Sequence, residues 1–240
     1  MPNMNLYTVR TLVVLVFWTL VVTPLLLLAY VGFERVRYYM SRWWASRVLR
    51  AAGVRLEVQG LENLRGVGPS IYTPNHQSLM DIPVIMRALP IQFRMLVKKE
   101  LFSVPVLGLA IRFMGMIGIE RENRRAAVKS IHKAEKFVRD GDSFVIFPEG
   151  RRAETEEFQN FKKGAFLIAK RLGVPIVPVC IQGTHRILAR GSHTIHPGLV
   201  RVVVLETRKA EGDLEEVAAA TQAEMENVFR QGTASLGATA

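Results

Sequence analysis

The longest apolar stretch of the chain lies near its N-terminus, where residues 11–33 contain no charged side chain. A helix rises about 1.5 Å per residue, so a stretch of this length reaches about 34 Å, enough for a hydrocarbon core of roughly 30 Å. The next segment, residues 34–50, carries five arginines and places Val36, Met40 and Trp43 near one helical face. This pattern predicts an amphipathic helix at the lipid headgroups, preceded by an apolar helix that spans the bilayer or dips into one leaflet.

Beyond residue 50, short apolar strands alternate with helical segments. The patterns predict strands at 54–59, 70–72, 93–97, 116–119, 143–147, 176–181 and 200–205, and helices at 82–89, 101–114, 123–139, 163–172 and 214–229. This alternation predicts one α/β domain over residues 51–230, with a central mixed sheet flanked by helices. The pattern itself does not decide which strands pair. Residues 231–240 are small and polar, which predicts a disordered tail.

The composition excludes several classes of protein. The 240 residues are 49% hydrophobic, which is too much apolar content for a disordered chain. The single cysteine, Cys180, excludes an internal disulfide framework and a multi-cysteine zinc site. A net charge of +11 fits three kinds of partner: nucleic acid, an anionic membrane or a phosphorylated substrate.

The positive charge is concentrated in two places. Residues 1–50, the predicted membrane anchor, carry a balance of +5, and residues 87–152 carry +7. Only Arg10 precedes the apolar stretch, whereas five arginines closely follow it, so the domain is expected on the cytoplasmic face of the inner membrane. Anchor and substrate together account for the charge, so no nucleic-acid partner is expected.

One polar cluster, N-H-Q-S-L-M-D at residues 75–81, lies between a predicted strand and a predicted helix. On one continuous helix, His76 and Asp81 would lie about 140° apart around the axis. If His76 lies in a turn and Asp81 begins the helix, the carboxylate can accept a hydrogen bond from one imidazole nitrogen and leave the other as a base. A histidine is more often structural, so the residues alone leave both roles open.

A second cluster, F-P-E-G-R-R at residues 147–152, places an acid and two guanidiniums at a turn after an apolar strand. Arginine binds phosphate through paired N–H groups, although a solvated loop would have the same composition. Lys99 and Arg121 follow other strands, and together these cations suggest a phosphate pocket. His193 and His196 lie in a Gly/Ser/Pro-containing loop without accompanying cysteines, so no metal site is expected.

Four sequence blocks in order resemble the glycerolipid acyltransferase family, in particular bacterial 1-acyl-glycerol-3-phosphate (lysophosphatidate) acyltransferases. They are N-H-Q-S-L-M-D at 75–81, M-G-M-I-G-I-E-R at 114–121, F-P-E-G-R-R-A at 147–153 and V-P-I-V-P-V at 174–179. The resemblance implies transfer of an acyl group from acyl-CoA or acyl-carrier protein to the sn-2 hydroxyl of lysophosphatidate, which gives phosphatidic acid without a cofactor. It also implies a phospholipid membrane as partner.

The resemblance also implies roles for particular residues. His76, held by Asp81, is expected to remove the proton from the acceptor hydroxyl. The residues at family positions for binding the glycerol phosphate are Arg121, Glu149, Gly150 and Arg152. Lys99 and Arg151 are added to this set on charge alone.

One departure from the family pattern concerns the acceptor. The third block usually reads F-P-E-G-T-R-S, and here Arg151 and Ala153 replace the Thr and the Ser. An acyltransferase for another lysolipid, such as a lyso-ornithine lipid, therefore remains an alternative. A basic membrane-surface binding protein would explain the charge and the anchor, and a lipid hydrolase would use His76 to activate water.

Overall fold

The computed structural model describes residues 5–28, 34–104, 107–120, 132 and 135–237. The labelled helices are α1 (Leu6–Leu28), α2 (Glu34–Ala51), α3 (Asp81–Ala88), α4 (Leu107–Phe113), α5 (Gly164–Leu172), α6 (Thr184–Ile187) and α7 (Leu214–Gly237). The strands are β1 (Val54–Gln59), β2 (Ile71–Pro74), β3 (Phe93–Lys98), β4 (Ile117–Ile119), β5 (Ser143–Val145), β6 (Ile176–Gln182) and β7 (Gly198–Val204). Short 3₁₀ turns occupy Leu61–Leu64 and Lys99–Ser103, and residues 135–139 are helical.

The strands form one sheet in the order β1-β7-β6-β2-β5-β3-β4. The five strands from β6 to β4 run parallel to one another, whereas β7 is antiparallel to β6 and parallel to β1. The expected α/β domain with a mixed central sheet is therefore confirmed. Every residue of the central strands β2 and β6 is buried, because helices cover both faces of the sheet there.

Alternating residues of the central strands enter two cores on opposite faces of the sheet. Tyr72 packs with apolar residues of α2, α3 and α4, whereas the adjacent Ile71 packs with apolar residues of α5 and α7. This arrangement follows from the two-residue period of a strand. The carboxyl ends of the parallel strands are left at one edge of the sheet, between the two helical layers.

The N-terminal helix begins earlier than the apolar stretch alone predicts. Asn5 caps α1, since its Oδ1 accepts the backbone N–H of Thr8 at 2.9 Å. The helix is described to Leu28, and residues 29–33 of the predicted segment lie outside the described residues. No helix of the described chain is long and apolar enough to cross a bilayer.

Two predicted elements differ in the structure. The single helix predicted at 101–114 is a 3₁₀ turn followed by α4, and Val104 between them is extended. Pro105 follows Val104, and a residue before proline disfavours helical backbone. The strand predicted at 143–147 ends at Val145, because Phe147 begins a turn in which its carbonyl accepts the N–H of Gly150 at 3.1 Å.

The prediction of a disordered tail at 231–240 is wrong for residues 231–237, which the structure describes as helical. Helix α7 continues to Gly237, while residues 238–240 lie outside the described residues. The backbone at Gly232 lies against the side chain of Gln182 on β6, whose Nε2 donates to the carbonyl of Val228 in the same helix at 2.9 Å. Most of the helix predicted at 123–139 also lies outside the described residues.

Candidate active site

Two neighbouring strands deliver the polar clusters to the same edge of the sheet. His76 lies two residues beyond the end of β2, and Phe147 lies two residues beyond the end of β5. The two strands are parallel and adjacent, with Tyr72 opposite Val145. Their carboxyl ends therefore place residues 75–81 and 147–152 side by side, where open α/β sheets commonly bind ligands.

The hydrogen bond predicted between His76 and Asp81 is confirmed, with Nδ1 2.7 Å from Oδ2. The same carboxylate oxygen accepts the backbone N–H groups of Gln77 and Ser78, each at 2.8 Å. These contacts orient the Asp81 carboxylate, which is fully buried at the start of α3. A carboxylate that accepts from Nδ1 fixes the imidazole tautomer with its lone pair on Nε2. Among the described residues, Nε2 has no hydrogen-bond partner.

The ring of Phe147 covers one face of the His76 imidazole. Its ring is stacked on the His76 imidazole, with centroids 3.9 Å apart and planes inclined by 22°. The sequence analysis missed this contact, because only strand pairing brings the two rings together. The stack and the Asp81 bond together restrict the rotation of the imidazole.

Glu149 lies inside the protein rather than at its surface. Its side chain is buried, and Oε1 accepts the backbone N–H of His76 at 2.9 Å. Burial raises the pKa of Glu149 to about 8, against the opposing effect of backbone N–H groups of His76 and Gln159, and the negative charge of Asp81 adds to the rise. In this structure Glu149 therefore contacts the backbone of the histidine rather than solvent.

Asn75 attaches the histidine turn to the next strand, a role that the sequence analysis did not identify. Its Nδ2 donates to the carbonyl of Ile181 at 2.9 Å, and its Oδ1 accepts the N–H of Ile181 at 2.7 Å. Asn75 is fully buried, and its amide pairs with β6 as a further strand residue would. The sequence did contain a signal for this role, because Asn75 comes shortly after a predicted strand and directly precedes the candidate base His76.

The predicted phosphate-binding cations differ in their surroundings. The half-buried guanidinium of Arg152 has no partner among the described residues. Arg151 is exposed and donates to Gln159 Oε1 at 2.8 Å. The exposed Lys99 ammonium is paired with Glu120, and Arg121 lies outside the described residues. The structure therefore brings Gly150, Arg151 and Arg152 next to the histidine and leaves the contribution of Lys99 and Arg121 as a prediction.

Comparison with known proteins gives a consistent result. The family model described as Acyltransferase matches residues 55–182, which include both polar clusters. The chain is 35% identical to the chloroplastic 1-acyl-sn-glycerol-3-phosphate acyltransferase BAT2 of Brassica napus over 178 residues, 72% of this chain and 51% of that protein. It is 28% identical to the 1-acyl-sn-glycerol-3-phosphate acyltransferase of Pseudomonas aeruginosa over 185 residues, 75% of this chain and 70% of that protein.

The fold has a close counterpart among solved structures. The crystal structure of the 1-acyl-sn-glycerophosphate (LPA) acyltransferase PlsC from Thermotoga maritima matches with a TM-score of 0.76 and 27% sequence identity. The match covers 98% of this chain and 99% of that chain. By contrast, this chain spans about half the length of the chloroplast relatives it matches.

Proposed function

Because the chain belongs to the acyltransferase family, we propose that it transfers a fatty acyl group from acyl-CoA or acyl-carrier protein to the sn-2 hydroxyl of 1-acyl-glycerol-3-phosphate. The observation that supports this proposal most directly is the His76–Asp81 contact of 2.7 Å, which leaves Nε2 as the acceptor for a proton. The relatives named above carry the same activity in their names.

The proposed reaction uses His76 as a general base. Nε2 takes the proton of the acceptor hydroxyl as its oxygen attacks the thioester carbonyl, and a tetrahedral oxyanion forms. The intermediate collapses when the carbon–sulfur bond breaks, and the thiolate takes the proton from the imidazolium. Asp81 stabilises the imidazolium that exists between these two proton transfers. The products are phosphatidic acid and the free thiol of the donor.

The two residues that depart from the family pattern, Arg151 and Ala153, favour lysophosphatidate over a phosphate-free lysolipid as the acceptor. Ala153 is buried and its N–H donates to the His76 carbonyl at 2.7 Å, so the hydroxyl that is missing there would not face the acceptor. Arg151 adds an exposed cation beside the half-buried Arg152. The burial of Ala153 removes one argument for a different acceptor, and the added cation favours an acceptor that carries an anionic headgroup.

Membrane attachment through α1 is part of the proposal. Val13, Val16 and Phe17 are between 55% and 61% exposed on the described part of this helix. A row of exposed apolar side chains on one helix is typical of a surface that contacts lipid. The arginines that follow in α2 suit anionic lipid on the cytoplasmic side of the membrane.

The activity is tested by supplying the purified full-length chain with labelled acyl-CoA or acyl-carrier protein and with lysophosphatidate. We expect labelled phosphatidate, and we expect His76→Ala to lower kcat by about 10²–10⁴-fold. His193→Ala, which removes an exposed histidine in another loop, is the matched control and should leave kcat unchanged.

Other outcomes identify the competing functions. Near-normal transfer by a folded His76→Ala protein would rule out the general-base role. Release of free fatty acid in place of phosphatidate would indicate a hydrolase, and vesicle binding without any product would indicate a binding protein. Preference for lyso-ornithine lipid over lysophosphatidate would identify the alternative acceptor.

A further inference from the structure

A lysine side chain lies across the turn that joins Glu149 to Arg152. Gly150 has a φ of +76°, and a Cβ built on it would come within 3.2 Å of Lys162 Nζ and 3.6 Å of its Cδ and Cε. The backbone N–H of Lys162 donates to the carbonyl of Pro148 at 2.9 Å, which fixes the lysine beside the turn. The absence of a side chain at Gly150 thus leaves the space through which the lysine reaches this surface.

The charge of Lys162 is not balanced within the described part of the protein. Its ammonium has no ion-pair or hydrogen-bond partner there, and neither has the guanidinium of Arg152. The adjacent Lys163 differs, because its ammonium pairs with Glu215 of α7 at 2.9 Å. An anion that contacted both groups would supply the counter-charge that each lacks among the described residues.

The turn is attached to the candidate base at two points. Glu149 accepts the N–H of His76, and the N–H of Ala153 donates to the His76 carbonyl. A group bound by the turn therefore keeps a fixed position relative to the imidazole. In lysophosphatidate, the phosphate and the hydroxyl that would react are attached to adjacent carbons of the glycerol.

We propose that Lys162, together with Arg152, binds the phosphate of the acceptor and so determines the selectivity for phosphorylated lysolipids. This proposal rests on the proposed function. The ammonium contributes a charge-assisted hydrogen bond that a phosphate-free acceptor cannot form. Gly150 contributes by leaving the space that the lysine side chain occupies.

The test compares three full-length variants with the unsubstituted protein. Lys162→Met keeps the apolar stem over Gly150 and removes the charge, Lys162→Arg restores a cation, and Lys163→Met removes the neighbouring charge. We expect Lys162→Met to raise the KM for lysophosphatidate about tenfold, with kcat changed less than twofold. Lys162→Arg should recover part of the loss, and Lys163→Met should match the unsubstituted protein.

Two results would overturn the assignment. One is an equal rise in KM for 1-acyl-glycerol, which carries no phosphate, and the other is an equal effect of Lys162→Met and Lys163→Met. Binding of glycerol 3-phosphate, measured by its protection against thermal unfolding, separates this proposal from the proposed function. If no variant transfers acyl groups, protection lost in Lys162→Met still supports the phosphate site, and unchanged protection contradicts it.

Discussion

Glu149 illustrates how one residue can be read differently in the sequence and in the folded protein. Beside Arg151 and Arg152 in the sequence, it suggests an acid among phosphate-binding cations. In the structure it is buried and holds the backbone N–H of His76. In the folded protein Glu149 therefore positions the backbone of His76.

The raised pKa of Glu149 predicts a pH-dependent stability. Below about pH 4.5 the carboxyl is protonated in both the folded and the unfolded chain. Between there and about pH 8, the unfolded chain loses this proton while the folded protein keeps it, so the free energy of unfolding falls as pH rises. Glu149→Gln keeps an acceptor for the His76 N–H and cannot ionise, so we expect it to lose this part of the decrease.

The measurement is the midpoint of thermal unfolding at intervals between pH 5 and pH 8. Glu206→Gln, which neutralises an exposed glutamate, is the control and should keep the full decrease of the unsubstituted protein. An unchanged pH dependence in Glu149→Gln would contradict the assignment of the raised pKa to this carboxyl.

At the scale of elements, side chains extend the sheet where strands end. Beyond the end of β2, Asn75 pairs with the backbone of Ile181. The Asp81 carboxylate accepts the N–H groups of Gln77 and Ser78 in the turn between β2 and α3. The position of His76 is thus set from β6 on one side and from α3 on the other. Between the two N-terminal helices, Arg10 of α1 donates to the carbonyls of Arg50 and Ala51 at the end of α2, at 2.9 Å and 2.7 Å.

We expect Asn75→Ala to lower both stability and turnover. The substitution leaves the buried N–H and carbonyl of Ile181 without these partners, which should cost about 2–4 kcal/mol of the free energy of unfolding. It also releases the turn that carries His76, so kcat should fall more than KM changes. Urea denaturation and steady-state kinetics measure the two effects.

A second asparagine provides the matched control. Asn63 Nδ2 donates to the carbonyl of Val204 at 3.0 Å, at the opposite edge of the sheet from the histidine turn. Asn63→Ala should lower stability with little change in kcat. If Asn75→Ala lowered kcat no more than Asn63→Ala does, the positioning role of Asn75 would be disproved.

At the scale of the whole molecule, the helices on one face of the sheet direct apolar side chains both into the core and outward. Helices α2, α3 and α4 pack their apolar residues into the core, whereas α1 presents Val13, Val16 and Phe17 outward. The proposed membrane attachment uses this outward side.

The attachment predicts a specific loss of lipid binding. Val13→Glu places a charge at a position that is 61% exposed on α1, and we expect vesicle binding to fall about tenfold, because burial of the apolar side chain is lost and a charge is added. Leu167→Glu, on α5 of the opposite layer, replaces a leucine that is 38% exposed and should bind normally. Co-flotation with vesicles that contain anionic lipid measures both, and equal binding of the two variants would contradict this orientation.

Local pattern was sufficient for many of the elements. The strand predicted at 54–59 coincides with β1, whose burial alternates residue by residue, and the start of α3 agrees within one residue with the prediction. Interruptions were harder to place. The helix predicted at 101–114 is interrupted at Val104, the residue before a proline, and α7 continues past its predicted end to a point where Gly232 lies against Gln182.

The sequence by itself determined most of the described strands and helices, the α/β class and the closeness of His76 to Asp81, because the periodicity of side chains and the five-residue spacing at a turn are local properties. Only the tertiary structure decided the strand order, the burial of Glu149, the stack of Phe147 on His76 and the pairing of Lys99 with Glu120. Each of these depends on which distant segments become neighbours. Burial and charge pairing are set by those neighbours, and a residue's own position in the sequence does not specify them.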